Sequence, residues 1–218
     1  LEIGATAIAD FGRIYQHDGF DAANATASAY RVLKNIEGFY GQNSNSHQAS
    51  SLAMICSGAF GDVDGDFVPD FFLGTAGIDF VNNLKTDGQR ADFDHQLSGW
   101  TTTDGAMLKG FPQIMEDLQF FLNPIIADVD GDHKAEVINT SATFAVHAFH
   151  EDGSEPAGWP KFTGHWQIAT PAVGDLDGDG LLEMAVLTRA GWLFVYELLG
   201  KAHGNVQWSS YRHDARNT

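Results

Sequence analysis

The chain has 218 residues, 29 of them acidic and 12 basic, which gives a formal net charge of −17. Binding to a nucleic-acid backbone needs clustered lysine and arginine, so this composition argues against it. No apolar run reaches the roughly 18 residues of a membrane span. With 24 glycines and only 6 prolines, the sequence predicts many tight turns and short strands, so the expected fold class is all-β.

The N-terminal segment predicts two strands of a repeated unit. LEIGATAIADFGRIYQHDG, from Leu1, aligns with AEVINTSATFAVHAFHEDG, from Ala135, and places Glu2 on Glu136. We therefore expect the chain to begin inside a unit whose first part is absent. The alanine-rich stretch from Asp21 to Ile36 has the composition of a short helix, with Asp21 as its N-cap.

Three acidic segments further along the chain share the pattern D-x-D-G-D-x-x-x-[DE]. They begin at Asp62, Asp128 and Asp175, and each lies between two apolar stretches, which predicts strand, loop and strand. We call them loops 1, 2 and 3. The interval of 47 residues from loop 2 to loop 3 matches a four-stranded propeller blade, for which about 40–50 residues is usual.

The repeats divide a single propeller domain, residues 1–218, into about four units. In each unit a third strand, a glycine turn and a fourth strand are expected after the loop. The interval from loop 1 to loop 2 is longer, and the extra residues are expected in the polar stretch 85–105, between the third and fourth strands. Closed propellers use about 4–8 blades, so the chain is expected to be a small ring or a part of a larger one. The approximate units are 1–50, 51–115, 116–164 and 165–218.

Positions 1, 3, 5 and 9 of every loop are acidic, which is typical of a calcium site. Ca²⁺ takes about 6–8 oxygen ligands, and four carboxylates held together repel one another unless a cation neutralises them. Position 7 is not acidic and offers only its backbone carbonyl. A solvated Asp-Gly turn, the simpler alternative, needs only one or two acids. We therefore predict about three Ca²⁺ sites, formed by Asp62, Asp64, Asp66, Val68 and Asp70; by Asp128, Asp130, Asp132, Lys134 and Glu136; and by Asp175, Asp177, Asp179, Leu181 and Glu183.

An EF-hand would share the alternating acids but differs in two respects. It requires a bidentate Glu at position 12 and helices on both sides, whereas position 12 is Leu73, Asn139 or Val186 here and the flanks favour strands. The loops, with Phe-Gly before the first and FFLGTAG after it, instead resemble the FG-GAP or VCBS repeats of integrin-α-like β-propellers. That resemblance implies that each loop joins the first two strands of a blade and carries Ca²⁺.

The resemblance is not uniform along the chain. LGTA at residues 73–76 stands where the family has Gly-Ala-Pro, but INTS and VLTR in the other repeats do not match it. Position 6, commonly Gly in the family, is Phe67, His133 and Gly180, so we expect loops 1 and 2 to be slightly distorted. The closing WSSYRHDARNT resembles the tail of bacterial secreted propellers.

No catalytic residues or organic cofactors are predicted, because the familiar nucleophile, phosphate-binding and metalloprotease motifs are absent from the sequence. His147 and His150 fall on a predicted strand with their rings on opposite faces, so a zinc ion shared by both is not expected. The tryptophans are expected to fill the core, except for Trp100 in the polar stretch.

The function expected is that of a calcium-stabilised binding or structural module of a secreted or cell-surface protein, which mediates adhesion to a protein or glycan. Further blades of the same parent chain or another subunit are alternative partners. The alternative function is the propeller part of a polysaccharide lyase, in which calcium would orient an acidic sugar, or an auxiliary domain of a secreted hydrolase. An enzyme is the less favoured of these interpretations.

Overall fold

The apolar stretches on either side of the acidic loops form β-strands. The computed structural model describes residues 2–4, 13–17, 30–32, 51–53, 56–77, 95–119 and 121–214, the first four ranges by their backbone alone. Within these ranges there are 16 strands and no helix, which confirms the all-β expectation there. The strands are β1 Glu2–Gly4, β2 Arg13–His17, β3 Tyr30–Val32, β4 Ser51–Ala53, β5 Ala59–Gly61, β6 Asp70–Gly77, β7 His95–Thr101, β8 Gln113–Met115, β9 Ile125–Ala127, β10 Glu136–Thr140, β11 Ala145–Phe149, β12 Lys161–Phe162, β13 Ala172–Gly174, β14 Leu181–Leu187, β15 Leu193–Lys201 and β16 Val206–Trp208.

The strands pair into four antiparallel sheets. With the exception of β16, neighbours in each sheet follow the order of the chain. The sheets are β1-β2-β3; β4-β6-β7-β8, with β5 also paired to β6; β9-β10-β11-β12; and β13-β14-β15. In the three sheets that contain an acidic loop, the loop joins β5 to β6, β9 to β10, or β13 to β14.

The last three sheets are held together by two hydrophobic clusters. One cluster includes Phe72 of β6 and Val137 of β10, and the other includes Ile138 of β10 and Met184 of β14. Successive residues of a strand point to opposite faces, so β10 supplies neighbouring residues to both clusters. The third sheet is therefore buried on both faces, with the second sheet on one side and the fourth on the other.

The stretch 85–105 does not have the structure expected of a polar insertion. His95–Thr101 forms β7, the third strand of its sheet, which pairs with β6 along most of its length and is almost entirely buried. Its polar side chains find partners within the sheet, as in the 2.7 Å hydrogen bond between the Ser98 and Thr75 hydroxyls. The extra residues of this unit therefore lie between the second and third strands, and Trp100 is fully buried.

The expected helix between Asp21 and Ile36 is wrong at residues 30–32, which form β3. This strand pairs with β2, with Tyr15 opposite Val32. Tyrosine and valine favour strands, and here the available partner strand outweighs the alanine content of the stretch. The rest of that stretch lies outside the described residues.

The last strand also departs from expectation. The sequence predicts it as the fourth strand of the last unit, but β16 pairs with β9, the first strand of the third sheet. Its neighbours extend this contact, because Asn205 O accepts the Asp128 N–H at 2.8 Å and Ser209 O accepts the Val173 N–H at 2.9 Å. The Gln207 amide bonds both to the N–H and to the C=O of Asp62, at 2.7 and 2.9 Å. Residues 204–213, here called the C-terminal segment, thus reach the start of loops 1 and 2 and the strand before loop 3.

In the part of the chain that is described, no helix has the length and apolar character needed to cross a membrane.

Candidate metal centres

The first acid of each loop folds the loop around itself. Its two carboxylate oxygens accept the backbone N–H groups of positions 4 and 6, with N···O distances of 2.7 Å at position 4 and 3.0 or 3.1 Å at position 6. The acceptors and donors are Asp62 with Gly65 and Phe67, Asp128 with Gly131 and His133, and Asp175 with Gly178 and Gly180.

The acids at positions 3 and 5 each accept one N–H from the residue two positions later, through Oδ1. The distance is 3.1 Å at position 3 in all three loops and 2.7 or 2.8 Å at position 5. In each acid the second oxygen, Oδ2, is not used by these bonds. The N–H groups that bond to position 5 come from the residues at position 7, which are Val68, Lys134 and Leu181. That their carbonyl oxygens bind a cation remains a prediction.

The ninth acid lies in the strand after the loop and is buried. Asp70, Glu136 and Glu183 are 0, 0 and 6% exposed. One carboxylate oxygen of each accepts the N–H of position 2, from Val63, Val129 and Leu176, at 3.2, 2.8 and 2.6 Å. Each loop is thereby closed onto its strand by a buried carboxylate.

Burial and crowding make two of these carboxylates hard to ionise. Burial, followed by repulsion from Asp64 and Asp66, raises the pKa of Asp70 to about 7. Burial, followed by repulsion from the other acids of loop 2, raises the pKa of Glu136 to about 8. A bound cation would remove this penalty, because an opposite charge nearby favours the ionised form.

The second oxygen of Asp70 provides an independent sign of a ligand. Asp70 Oδ1 is buried and has no hydrogen-bond partner among the residues that the structure describes. A buried polar atom left unsatisfied costs about 1–3 kcal/mol, and more if it is charged. Such atoms call for an explanation, and an ion is among the usual ones.

Positions 4 and 6 of the loops adopt left-handed backbone conformations. The φ angles at position 6 are 67° for Phe67, 75° for His133 and 91° for Gly180. Glycine tolerates this region without strain, whereas residues with a Cβ do not. The distortion expected for loops 1 and 2 is nevertheless wrong, because all three loops make the same hydrogen bonds at nearly the same distances. In loops 1 and 2 the backbone strain is therefore confined to the residue at position 6, Phe67 or His133.

The structure brings most of the predicted ligands together in each loop. There are four such clusters among the described residues, and within each one the ligand atoms lie within 4.8 Å of one another. The clusters are Asp62, Asp64 and Asp66; Asp128, Asp130 and Glu136; Asp175, Asp177 and Glu183; and Asp130, Asp132 and His150. These clusters could hold metal ions. The sequence analysis assigned His150 to no site, because its position opposite Glu136 is set by the pairing of β10 with β11. His147 contacts other residues, so the two histidines do not share a site.

The expected core role of the tryptophans holds only in part. Trp166 and Trp192 are 51 and 62% exposed. Both lie near the turn between β14 and β15, where the Trp166 carbonyl accepts the Arg189 N–H at 2.7 Å and the Trp192 carbonyl accepts the Thr188 N–H at 3.0 Å. This turn is at the far end of β14 from loop 3.

The sequence model of the FG-GAP-like repeat matches residues 128–186. This segment of the chain is similar to an FG-GAP-like repeat. It contains the whole of loops 2 and 3, strands β10 to β13 and most of β14. The resemblance inferred from the acidic motif is therefore confirmed there. The match begins at Asp128, the first acid of loop 2.

Among solved structures, the V. cholerae biofilm matrix protein Bap1 is similar to this chain, with 22% sequence identity and a TM-score of 0.45. The similarity covers 71% of this chain and 26% of Bap1, so the chain spans about a quarter of that protein's length. No curated protein matches the sequence.

Proposed function

We propose that this chain is a calcium-stabilised β-propeller module of a secreted or cell-surface protein, which binds a protein or glycan partner. The observation that carries the proposal is the threefold repetition of one loop structure. Each copy groups acidic side chains around a closed loop and ends in a buried carboxylate, and two copies lie in the FG-GAP-like repeat. Repeats of this kind often bind calcium.

The sheet arrangement supports propeller packing. In a propeller, four-stranded sheets follow one another in chain order and pack face to face around an axis. The second, third and fourth sheets succeed one another in this way through the two hydrophobic clusters. In each of these sheets the C-terminal segment contacts the strand that precedes the acidic loop or the first residue of that loop, as expected for strands nearest the axis. Ring closure and a total of about four blades belong to the proposal.

The ligand set in loops 1 and 3 favours calcium over softer ions. All the predicted ligands there are oxygens, with four carboxylates in each loop, and Ca²⁺ accepts such crowded, flexible oxygen sets. Extracellular calcium modules typically bind with dissociation constants of about 10⁻⁴–10⁻³ M. At ten times that concentration of free calcium, each site adds about 1.4 kcal/mol to the free energy of unfolding.

The exposed aromatic residues at the end of the sheets opposite the loops support partner binding. Trp166, Trp192, Phe144 and Phe162 are all more than half exposed, and the Arg189 guanidinium lies 5.5 Å from the centre of the Trp166 ring. Segments 140–145, 161–172 and 187–193 contain no acidic residue, although the chain as a whole is strongly acidic. Exposed apolar groups of this kind commonly mark interaction sites.

A thermal melt with and without calcium tests the proposed function. Three filled sites add about 4 kcal/mol by mass action, and about 1 kcal/mol moves the melting temperature of a chain of this size by about 2–4 °C. We therefore expect chelation to lower the melting temperature by about 8–16 °C and calcium to restore it. Magnesium at the same concentration is the control and should restore less. An unchanged melting temperature on chelation and calcium re-addition would contradict the proposal.

A further inference from the structure

The three loops differ in the side chain that lies across the sheet from their ninth acid. In the second sheet the pairing of β6 with β7 places Thr101 opposite Asp70. In the fourth sheet the pairing of β14 with β15 places Glu197 opposite Glu183. In the third sheet Val137 pairs with Phe149, so the next position along brings His150 to Glu136. Residues directly opposite in an antiparallel pair lie on the same face and interact. Among the described residues, loop 2 is therefore the loop that has an imidazole across the sheet from its ninth acid.

The orientation of His150 is fixed by a buried carboxylate. His150 Nδ1 lies 3.1 Å from Glu136 Oε1, and Glu136 is fully buried. The other oxygen of Glu136 accepts the Val129 N–H at 2.8 Å, so neither oxygen is left without a partner, in contrast to Asp70 in loop 1. In the tautomer whose Nδ1–H donates to Glu136, the lone pair of the neutral imidazole is on Nε2.

The Nε2 atom faces the remaining acids of the loop. It lies 3.8 Å from Asp130 Oδ2, and ligand atoms of Asp130, Asp132 and His150 all fall within 4.8 Å of one another. A pocket of about 250 Å³ lies beside these groups and is lined in part by Asp132, Glu136 and His150. Its size leaves room for an ion that retains water ligands.

This arrangement is characteristic of a histidine that binds a metal. Histidine ligands of metals almost always donate their second ring N–H to a carboxylate or carbonyl, which fixes the tautomer and the ring orientation. Imidazole nitrogen suits zinc, copper, nickel and iron, whereas calcium and magnesium prefer oxygen alone. An imidazole together with two carboxylates and an open position is therefore a better match for a transition ion than for calcium.

We propose that loop 2 binds a divalent transition ion of the zinc type through His150 Nε2, Asp130 and Asp132, with Glu136 as the residue that positions the imidazole. This inference rests on the proposed cation-binding function of the loops and adds a different ion preference at one of them. Loop 2 accepts calcium when no transition ion is present, while loops 1 and 3 remain calcium sites.

Cobalt(II) is a suitable probe, because its visible absorption reports nitrogen ligation directly. We expect the full chain, loaded with calcium, to bind one equivalent of Co²⁺ and to show the visible absorption of nitrogen-ligated cobalt. One equivalent of Zn²⁺ should displace the Co²⁺ and remove this absorption. His150→Thr places a threonine opposite Glu136, as Thr101 lies opposite Asp70 in the sheet of loop 1. It should weaken Co²⁺ and Zn²⁺ binding by at least about tenfold, the lower end of losses seen when even an outer partner of a metal ligand is removed.

His165→Thr is the matched control, because His165 is exposed and lies at the opposite end of the sheets; its Co²⁺ spectrum and affinity should equal those of the wild type. Calcium-dependent stabilisation of His150→Thr checks that this variant is folded. Thr101→His, which places an imidazole beside Asp70, should create a second nitrogen-ligated Co²⁺ site.

Two results would overturn the inference: equal Zn²⁺ affinity in the wild type and His150→Thr, or no nitrogen-ligated Co²⁺ in the wild type. In the second case His150 serves only as a hydrogen-bond partner of Glu136. If calcium still stabilises the protein in either case, the proposed function stands. A protein that calcium does not stabilise would contradict the proposed function, whatever the result for Co²⁺ and Zn²⁺.

Discussion

Asp70 shows how a single carboxylate couples loop structure to cation binding. Its Oδ2 holds the Val63 N–H at 3.2 Å, while its buried Oδ1 has no partner among the described residues. Burial raises the pKa of Asp70, and repulsion from the charges of Asp64 and Asp66 raises it further. Without a cation the ionised side chain destabilises the fold, whereas in the proposed calcium site the same side chain serves as a ligand.

The effect of Asp70→Asn should therefore change sign with calcium. The asparagine Oδ1 can still accept the Val63 N–H, but the charge is gone. In chelator at pH 8 the variant should be more stable than the wild type by about 1 kcal/mol, because repulsion within the loop is relieved. In saturating calcium it should be less stable, because a ligand is lost. Urea unfolding in both buffers measures this, and a variant that is less stable in both contradicts the assignment.

His147 is a second, half-buried group whose charge matters, and it lies outside the loops. Its Nε2 is 2.6 Å from Glu116 Oε1 and its Nδ1 is 2.7 Å from Glu155 Oε1. Burial alone would lower the pKa of His147, but the hydrogen bonds and charges of the two glutamates outweigh it and raise that pKa above its ordinary value. The imidazole conversely lowers the pKa of Glu116, against the effect of burial.

These shifts predict a pH-dependent contribution to stability. Because the folded state favours the charged imidazole, its contribution is fully present below about pH 6.5, the unfolded value, and is lost as the pH rises through the raised pKa of His147. The difference in unfolding free energy between the wild type and His147→Gln should therefore shrink as the pH rises above about 6.5. Urea unfolding across a pH series in calcium buffer checks this, and a difference that grows with pH would refute it.

Among the strands, β15 is coupled to loop 2 by close backbone contact. Leu199 donates its N–H to the Val129 carbonyl at 3.1 Å, and a Cβ on Gly200 would lie 1.8 Å from the Asp128 carbonyl oxygen. The last sheet therefore touches the loop of the preceding one where that loop begins.

Gly200→Ala should disturb both partners of this contact. We expect it to lower the free energy of unfolding by about 1–3 kcal/mol, the usual range for overpacking, and to reduce the affinity of loop 2 for its ion. Gly174→Ala is the matched control, since nothing lies within 4 Å of the added Cβ. It should change stability by less than about 0.5 kcal/mol. Equal effects of the two substitutions in a urea titration would contradict the coupling.

The sequence was informative where structure is local and less so where it depends on distant partners. The acidic pattern predicts the loops because the carboxylate hydrogen bonds that close each loop join residues at most seven positions apart, as from Phe67 to Asp62 or from Val63 to Asp70. The strand β7 was missed because its polar residues, such as Ser98, are satisfied only by the neighbouring strand. His150 was missed for the same reason, since its position beside Glu136 is set by register.

For the whole molecule, the C-terminal segment is the feature that links the sheets. Trp208 packs against both hydrophobic clusters, and Gln207 bonds to Asp62, a residue 145 positions earlier in the chain. No local pattern could predict the pairing of β16 with β9, because β15 is closer in sequence and antiparallel neighbours are the usual expectation. The segment reaches all three loop regions, so cation binding there and the packing of the sheets should depend on one another.

The central claim is that the three loops, which share one hydrogen-bonding pattern, each bind one calcium ion when no transition ion is present, and direct counting of bound calcium tests it. Equilibrium dialysis in zinc-free buffer should give three ions for the wild type and two for each of Asp64→Asn, Asp130→Asn and Asp177→Asn. These substitutions remove one charge at position 3 and keep an oxygen for the local hydrogen bond. Wild-type protein that binds no calcium, or variants that all retain the wild-type count and affinity, would contradict the account.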